Sequence, residues 1–289
     1  MDFHHDLGEI SRKHLKKLGI TMPKDCDDWK IYLQWLQLKQ RRLDTDTHYQ
    51  VYYSKELTQK LETLSQEDRN ALSDIENRLC NAEPVTDYMS KLINSIDMKK
   101  SDFLLKVWNI YHLHLEKKTR KSYKNPLVLF FQVRGNAAYF IDVRQHPTGN
   151  EWFSRELLNI VYDNWPELLP YRPGVTPALE SGEPVNLTDE EIFVLMKNGI
   201  TTLVPFRDGA IFYTNAGILA SGDSALAGRI ADLVWNKLGL YQLELSRNQE
   251  IGESNSHDSR IDYKLIEKDG YFVIQETNSK TKIARFKAL

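Results

Sequence analysis

The apolar positions keep a helical period in the first third of the chain and change to a strand period in the middle. In "DDWKIYLQWLQLKQRRL", Asp27 and Asp28 stand as cap candidates, and Trp29, Leu33 and Leu36 fall on one helical face. "HYQVYYS", 48 to 54, is rich in β-branched and aromatic residues and predicts a lone strand. "SQEDRNALSDIENRL" opens with Ser65 and Asp68 at capping-box spacing, and Leu72, Ile75 and Leu79 continue it at helical spacing. Met89, Leu92, Ile93 and Ile96 mark a further short amphipathic helix.

The middle alternates instead. "WNIYHLHL" puts Ile110, His112 and His114 on one face of a strand and Tyr111, Leu113 and Leu115 on the other. "PLVLFFQV" is a nearly continuous apolar run, the pattern of a central buried strand, and "AAYFIDV" follows it after the turn signal "RGN". The three predict an antiparallel meander. "EWFSRELLNIVYDNW", 151 to 165, predicts a helix packed on that sheet through Trp152, Leu157, Ile160 and Val161. The Pro- and Gly-rich stretch 170 to 184 is the best candidate for a boundary.

Beyond it, "LTDEEIFVLMKNGI" has Thr188 and Glu191 in a capping box and Gly199 placed to end the helix. "TTLVPFRDGAIFYT" predicts a hairpin turning at Asp208 and Gly209. A helix from about Asp223 to Leu238 follows, with Leu226, Ile230, Val234 and Trp235 inward. "SRNQEIGESNSHDS", 246 to 259, is polar and predicts a mobile segment, and the tail predicts a three-stranded meander. The fold class expected is α+β, with three parts: a mainly helical N-terminal region, 1–100; a central antiparallel sheet with the His-x-His strand and flanking helices, 101–170; and a C-terminal α+β region with a β-meander, 185–289.

Composition narrows the class. With 41% apolar and 27% charged residues, the 289-residue chain has the make-up of a globular protein with a substantial core. No apolar run reaches the roughly 20 residues that span a bilayer, so no membrane partner is expected. The first residues show no apolar leader core, and two cysteines, Cys26 and Cys80, make no disulfide framework, so a cytoplasmic location is expected. The net charge of −2 argues against a general polyanion binder. The charge is uneven, however: Lys117, Lys118, Arg120, Lys121 and Lys124 fall within eight residues without an acid. That run suits phosphate binding, or a solvated hairpin tip.

The candidate chemistry sits beside this run. His112 and His114 lie two apart on a strand, hence on one face about 6 to 7 Å apart along the backbone. Two imidazoles so spaced can act as acid and base on one phosphodiester, since a free imidazole titrates near pH 6.5. His146, at the end of the third strand, is expected near His114, and Asp142 on the same strand is a candidate to orient a ring. In metal-free RNA cleavage His112 and His114 share the proton roles and Arg120 or Lys117 is the cation. The competing readings are zinc held by His112, His114 and His146, and hydrogen-bonded histidines with no catalytic role. Trp108, Trp152 and Trp165 have the spacing of core residues, with base stacking as the alternative. In "NAGILASGDSALAGR", 215 to 229, small residues precede a helix, which suits anion binding by backbone amides or a tight turn capped by Ser221 or Asp223. No Lys-Ser/Thr pair makes it a Walker loop, Ser221 is in no Gly-x-Ser-x-Gly elbow, and Asp232 reads as a polar-face residue. No cofactor is expected.

The segments "SDFLLKVWNIYHLHL", "LVLFFQV", "AAYFIDVRQH" and "LLNIVYDNWPEL" resemble a widespread family of bacterial proteins with a "WGI-HxHL … YFID … H … NWP" pattern. The upstream "VYYSKEL" and downstream "DGAIFYTNAGILASG" also look like that family, and the pattern usually has Gly where this chain has Asn109. More loosely, the element order looks like that of RelE-type ribonuclease toxins, which cut RNA without metal on a small curved sheet. That resemblance implies a metal-independent endoribonuclease of toxin or phage-defence type, acting on RNA or held by a protein partner such as an antitoxin or complex subunit. A non-catalytic nucleic-acid- or protein-binding module of a defence system, and a metal-dependent hydrolase, are the alternatives.

Overall fold

A computed structural model describes residues 1–43, 46–90, 93–96, 103–116, 127–147, 153–169, 171–172, 187–200, 202–206, 208, 210–212, 217–219, 221–253 and 261–287. The chain forms two compact units, one from Met1–Lys39 together with Ala227–Leu289 and one from Gln40–Leu226. The first unit is therefore built from both ends of the chain.

Helix α1 (Phe3–Lys17) starts at Asp2, whose side chain accepts from the amide of His5. Helix α2 (Asp28–Arg41) is capped as its sequence predicts, with Asp27 Oδ1 accepting from the Lys30 amide at 2.8 Å. The two helices touch at Gly8, where an added Cβ would lie 2.0 Å from Asp28 Oδ1. Only a residue without a side chain permits that approach.

The second unit holds the catalytic candidates. It runs through β1 (Gln50–Tyr53), α3 (Lys55–Lys60), α4 (Gln66–Cys80), α5 (Phe103–Trp108), β2 (Tyr111–His114), β3 (Leu127–Arg134), β4 (Ala137–Gln145) and α6 (Arg155–Asn164). Short strands β5 (Tyr171–Arg172), β6 (Val204–Pro205) and β7 (Ile211–Phe212) make a small sheet beside α7 (Asp189–Lys197). Both expected caps begin helices: Ser65 accepts from the amide of Asp68 and donates its hydroxyl to the Asp68 carboxylate, and Thr188 and Glu191 form a full capping box.

The main sheet has the order β1-β4-β3-β2. Strands β2, β3 and β4 form the expected antiparallel meander. Residues 50–53 are no lone strand, however. They pair parallel to β4, with Gln50 opposite Ala137 and Tyr53 opposite Phe140, so the sheet is mixed rather than antiparallel. The half-buried Val51 and Tyr53 pack there on the core that α4 covers, which gives this short strand a buried face.

Each face of the sheet covers its own core. Leu113, Leu129, Phe131, Phe140 and Val143 meet Leu72, Ile75 and Leu79 of α4. Ile110, Val128, Phe130 and Ile141 meet Leu157, Leu158, Ile160 and Val161 of α6. Trp108 lies in the second core with its ring centroid 3.8 Å from that of Phe153, and Trp165 sets its edge against Tyr139. Both tryptophans are packing residues, and Trp152 lies outside the described residues.

Residues 86–88 form one turn of 3-10 helix, and among the described residues 89–96 no helix appears, contrary to the apolar spacing of Met89, Ile93 and Ile96; Leu92 lies outside those residues. Back in the first unit, α8 (Ala225–Glu253) runs well past Leu238 into the polar stretch expected to be mobile. Its buried row Ala227, Ala231, Val234 and Leu238 continues at Leu245, immediately before "SRNQ". Strands β8 (Tyr263–Lys268), β9 (Tyr271–Glu276) and β10 (Lys282–Lys287) form the expected antiparallel meander.

Candidate active site

Strand β2 places His112 opposite Phe130 and His114 opposite Val128. On β3 these two residues face Asp142 and Arg144 of β4. The rows are thus His112–Phe130–Asp142 and His114–Val128–Arg144, all on the α6 side of the sheet. Strict alternation would not have produced them. Ala138 and Phe140 lie on the α4 side, so Asp142, Arg144 and His146 should too. A bulge intervenes: Phe131 pairs with Phe140 while Phe130 pairs with Asp142, and Ile141 is the extra residue. It turns into the α6 core and reverses the parity of everything after it.

The bulge brings His146 to His114. The rings of His114 and His146 stack with centroids 5.2 Å apart and planes 23° from parallel. The His112 and His114 rings meet edge to face at 5.9 Å. His114 is only 5% exposed, whereas His112 and His146 are half-buried, with Nδ1 of His112 shut off from solvent. Nδ1 of His146 lies 3.0 Å from the carbonyl oxygen of Pro147. A carbonyl only accepts, so Nδ1 carries the proton and Nε2 is the basic nitrogen of the neutral ring.

Asp142 does not orient a histidine. It is 3% exposed and serves cations: Oδ1 accepts from Lys60 Nζ at 2.5 Å and from the Val143 amide at 2.8 Å, and Oδ2 accepts from Arg144 Nε at 2.7 Å. Lys60 also donates to the Val143 carbonyl at 3.0 Å, and Arg144 reaches Ser154 Oγ at 3.2 Å. The sequence reading passed over both cations. Arg144 lies inside "FIDVRQH", two residues from a histidine, and would have been found by asking which cation shares that residue's parity. Lys60 lies 82 positions from Asp142 and carries no local signal.

The basic run of Lys117, Lys118, Arg120, Lys121 and Lys124 lies outside the described residues. It belongs to the connection that leaves β2 just after His114 and rejoins the sheet at Leu127, where the Leu115 amide donates to the Leu127 carbonyl at 3.0 Å. Among the described residues no group of three or more His, Cys, Asp or Glu side chains is arranged to hold a metal ion.

Of the segment at 215–229, the described residues 217–219 and 221–224 form a tight turn, closed by the Gly222 amide donating to the Leu219 carbonyl at 2.7 Å, and 225–229 begin α8. Ser221 Oγ donates to Asp223 Oδ2 at 2.7 Å, and the buried Lys106 donates to the Gly222 carbonyl at 2.8 Å. Serine and lysine there hold the turn. Asp232 accepts from Trp29 Nε1 at 3.1 Å and belongs to the surface. A cavity of about 310 Å³ opens elsewhere in the second unit, between Arg42, Leu79, Glu83 and Met89, and none of the candidate histidines lines it. No described helix is long and apolar enough to cross a membrane.

Comparison with family models, with curated proteins and with solved structures finds no match.

Proposed function

We propose that the α6 side of the sheet is a metal-independent acid–base site that cleaves RNA. The reading rests on the three imidazoles in continuous ring contact, His112 to His114 to His146. The half-buried His112 and His146 take the proton roles, one removing the proton of the ribose 2′-OH and the other giving a proton to the departing 5′-oxygen. The 2′-oxygen bonds to phosphorus as the 5′-oxygen leaves, so the products are a 2′,3′-cyclic phosphate and a 5′-hydroxyl. The buried His114 positions both rings, and Arg144 on the same face supplies the cation that meets the charge on the phosphorane.

The test is cleavage of an RNA oligonucleotide in EDTA. Cyclic-phosphate products are expected, with none from the 2′-O-methyl analogue. His112→Ala and His146→Ala should each slow the reaction by about 10²- to 10⁴-fold, the usual contribution of a proton-transfer group. Intact RNA, or cleavage untouched by either change, overturns the proposal.

The burial of His114 favours one second reading, a non-catalytic surface that holds nucleic acid through the 117–124 lysines and Arg120. In that case affinity survives the histidine changes, falls when those cations are neutralised, and declines steeply with salt.

A further inference from the structure

Helix α8 carries an exposed apolar stripe. Leu233 and Leu240 are each 69% exposed and Leu243 is 50% exposed, although other residues of the same helix are fully buried. Leu233, Asn236, Leu240 and Leu243 are spaced three, four and three apart, which is the spacing of the two core positions of a coiled-coil heptad. All four lie on the solvent side of a helix 29 residues long, about 43 Å. Single exposed leucines are common on protein surfaces, but three in heptad register on one ridge form a seam.

We infer that this seam pairs with the same seam of a second copy of the chain, the two helices running parallel and in register. Polar complementarity selects both the partner and the direction. In the parallel pairing each leucine meets its own equivalent, and Asn236 meets Asn236, whose amides can donate and accept across the pair. In the antiparallel pairing Leu233 faces Leu243, and each Asn236 faces Leu240, leaving two amides against hydrocarbon without a matching group. Beside the seam, Asp232 of one copy and Lys237 of the other occupy the flanking positions that form ion pairs in parallel coiled coils, in addition to their contacts within each copy, where Asp232 accepts from Trp29 and the Lys237 ammonium lies 4.6 Å from the Phe286 ring centroid. That contact occurs twice by symmetry.

The same residues limit the contact. Exposed Arg229 and Arg247 bracket the stripe, and in a parallel pair each meets its own charge. The seam is thereby confined to four layers. A stable protein interface usually buries about 800 Å² on each partner, and three leucines cannot supply that alone. The dimer is accordingly a weak one whose population depends on concentration.

Sedimentation of the full chain over a range of concentrations tests the inference. A monomer–dimer equilibrium is expected. Leu233→Glu with Leu240→Glu should weaken it at least tenfold while leaving the circular dichroism unchanged, since both side chains already face water. With Cys26→Ser and Cys80→Ser as background, Asn236→Cys should give a disulfide-linked dimer on mild oxidation, because parallel pairing sets these positions opposite each other. A chain that stays monomeric at every concentration leaves the stripe to some other partner and overturns the proposal. So does a dimer indifferent to the leucine changes. Cross-linking of Leu233→Cys to Leu243→Cys in mixed samples, with none at position 236, overturns the parallel arrangement.

Discussion

Asp142→Asn is the most informative single change in the second unit. The substitution keeps the side-chain shape and removes the charge that three donors share. With the remaining oxygen turned to Lys60 and the Val143 amide, the new amide nitrogen faces Arg144 Nε, donor against donor. One charge-assisted hydrogen bond, worth about 1.5–3 kcal/mol, is then lost outright. The bond from Lys60 loses its carboxylate partner but stays charge-assisted through the ammonium, so it weakens without being lost. Solvent reduces both losses, because the side chains of Lys60 and Arg144 are 37% and 26% exposed. The expected destabilisation is about 2–4 kcal/mol, a large part of the roughly 5–15 kcal/mol that holds a domain folded.

The chain forms two compact units, and a single optical midpoint would average over both. Native-state hydrogen exchange on peptides from β3 and β4, set against those from β8 and β9, reads the second unit by itself. Lys60→Met supplies the cycle, and in the double variant its effect should shrink by about 0.5–1.5 kcal/mol. A loss under about 0.5 kcal/mol, or an equal loss in both units, would refute the assignment of Asp142 as the anchor of these cations.

Asn109 ends α5 at φ 56°, so Asn109→Gly should leave stability nearly unchanged, whereas Asn109→Val should cost about 1–2 kcal/mol in hydrogen exchange on β3 and β4 peptides. Thr188→Ala removes the acceptor for the Glu191 amide and should speed hydrogen exchange in the first turn of α7 while α6 stays unchanged. In the first unit, the hydrogen bond from His14 holds the Glu267 carboxyl below its ordinary value; burial opposes it, and the charges of His14, Lys39 and Lys17 add to it. A depressed carboxyl contributes stability above its unfolded pKa of about 4.5 and loses it as pH falls through the folded value. Glu267→Gln should therefore flatten the acid loss of stability measured on β8 and β9 between pH 5 and 3. Nearby Asp6, raised by burial, works in the opposite sense in both proteins and does not cancel the difference.

The candidate site was only half legible in the chain. His112 and His114 share a face because strand alternation is local, and the structure keeps them together. His146 was expected near His114, and the structure puts it there, but its face depends on the bulge at Ile141. Nothing in "AAYFIDVRQH" marks which residue is extra, since Phe140 and Ile141 are both apolar and both buried. Asp142 illustrates the opposite error. Its proximity in sequence to His146 suggested a partnership, while its charge is satisfied by a lysine from α3.

The sequence alone determined what short-range forces decide: the N-cap at Ser65 and the capping box at Thr188, the alternation of β2, the C-terminal meander, and the α+β character. Each depends on hydrogen bonds or burial periods within about a dozen residues. The tertiary structure decided which surfaces those elements share: the parallel pairing of β1 with β4, the joining of the two chain ends in one unit, and the change of face after Ile141. Those outcomes turn on long-range burial, in which a one-residue shift exchanges an apolar face for a polar one, and no local stretch of the chain carries that information.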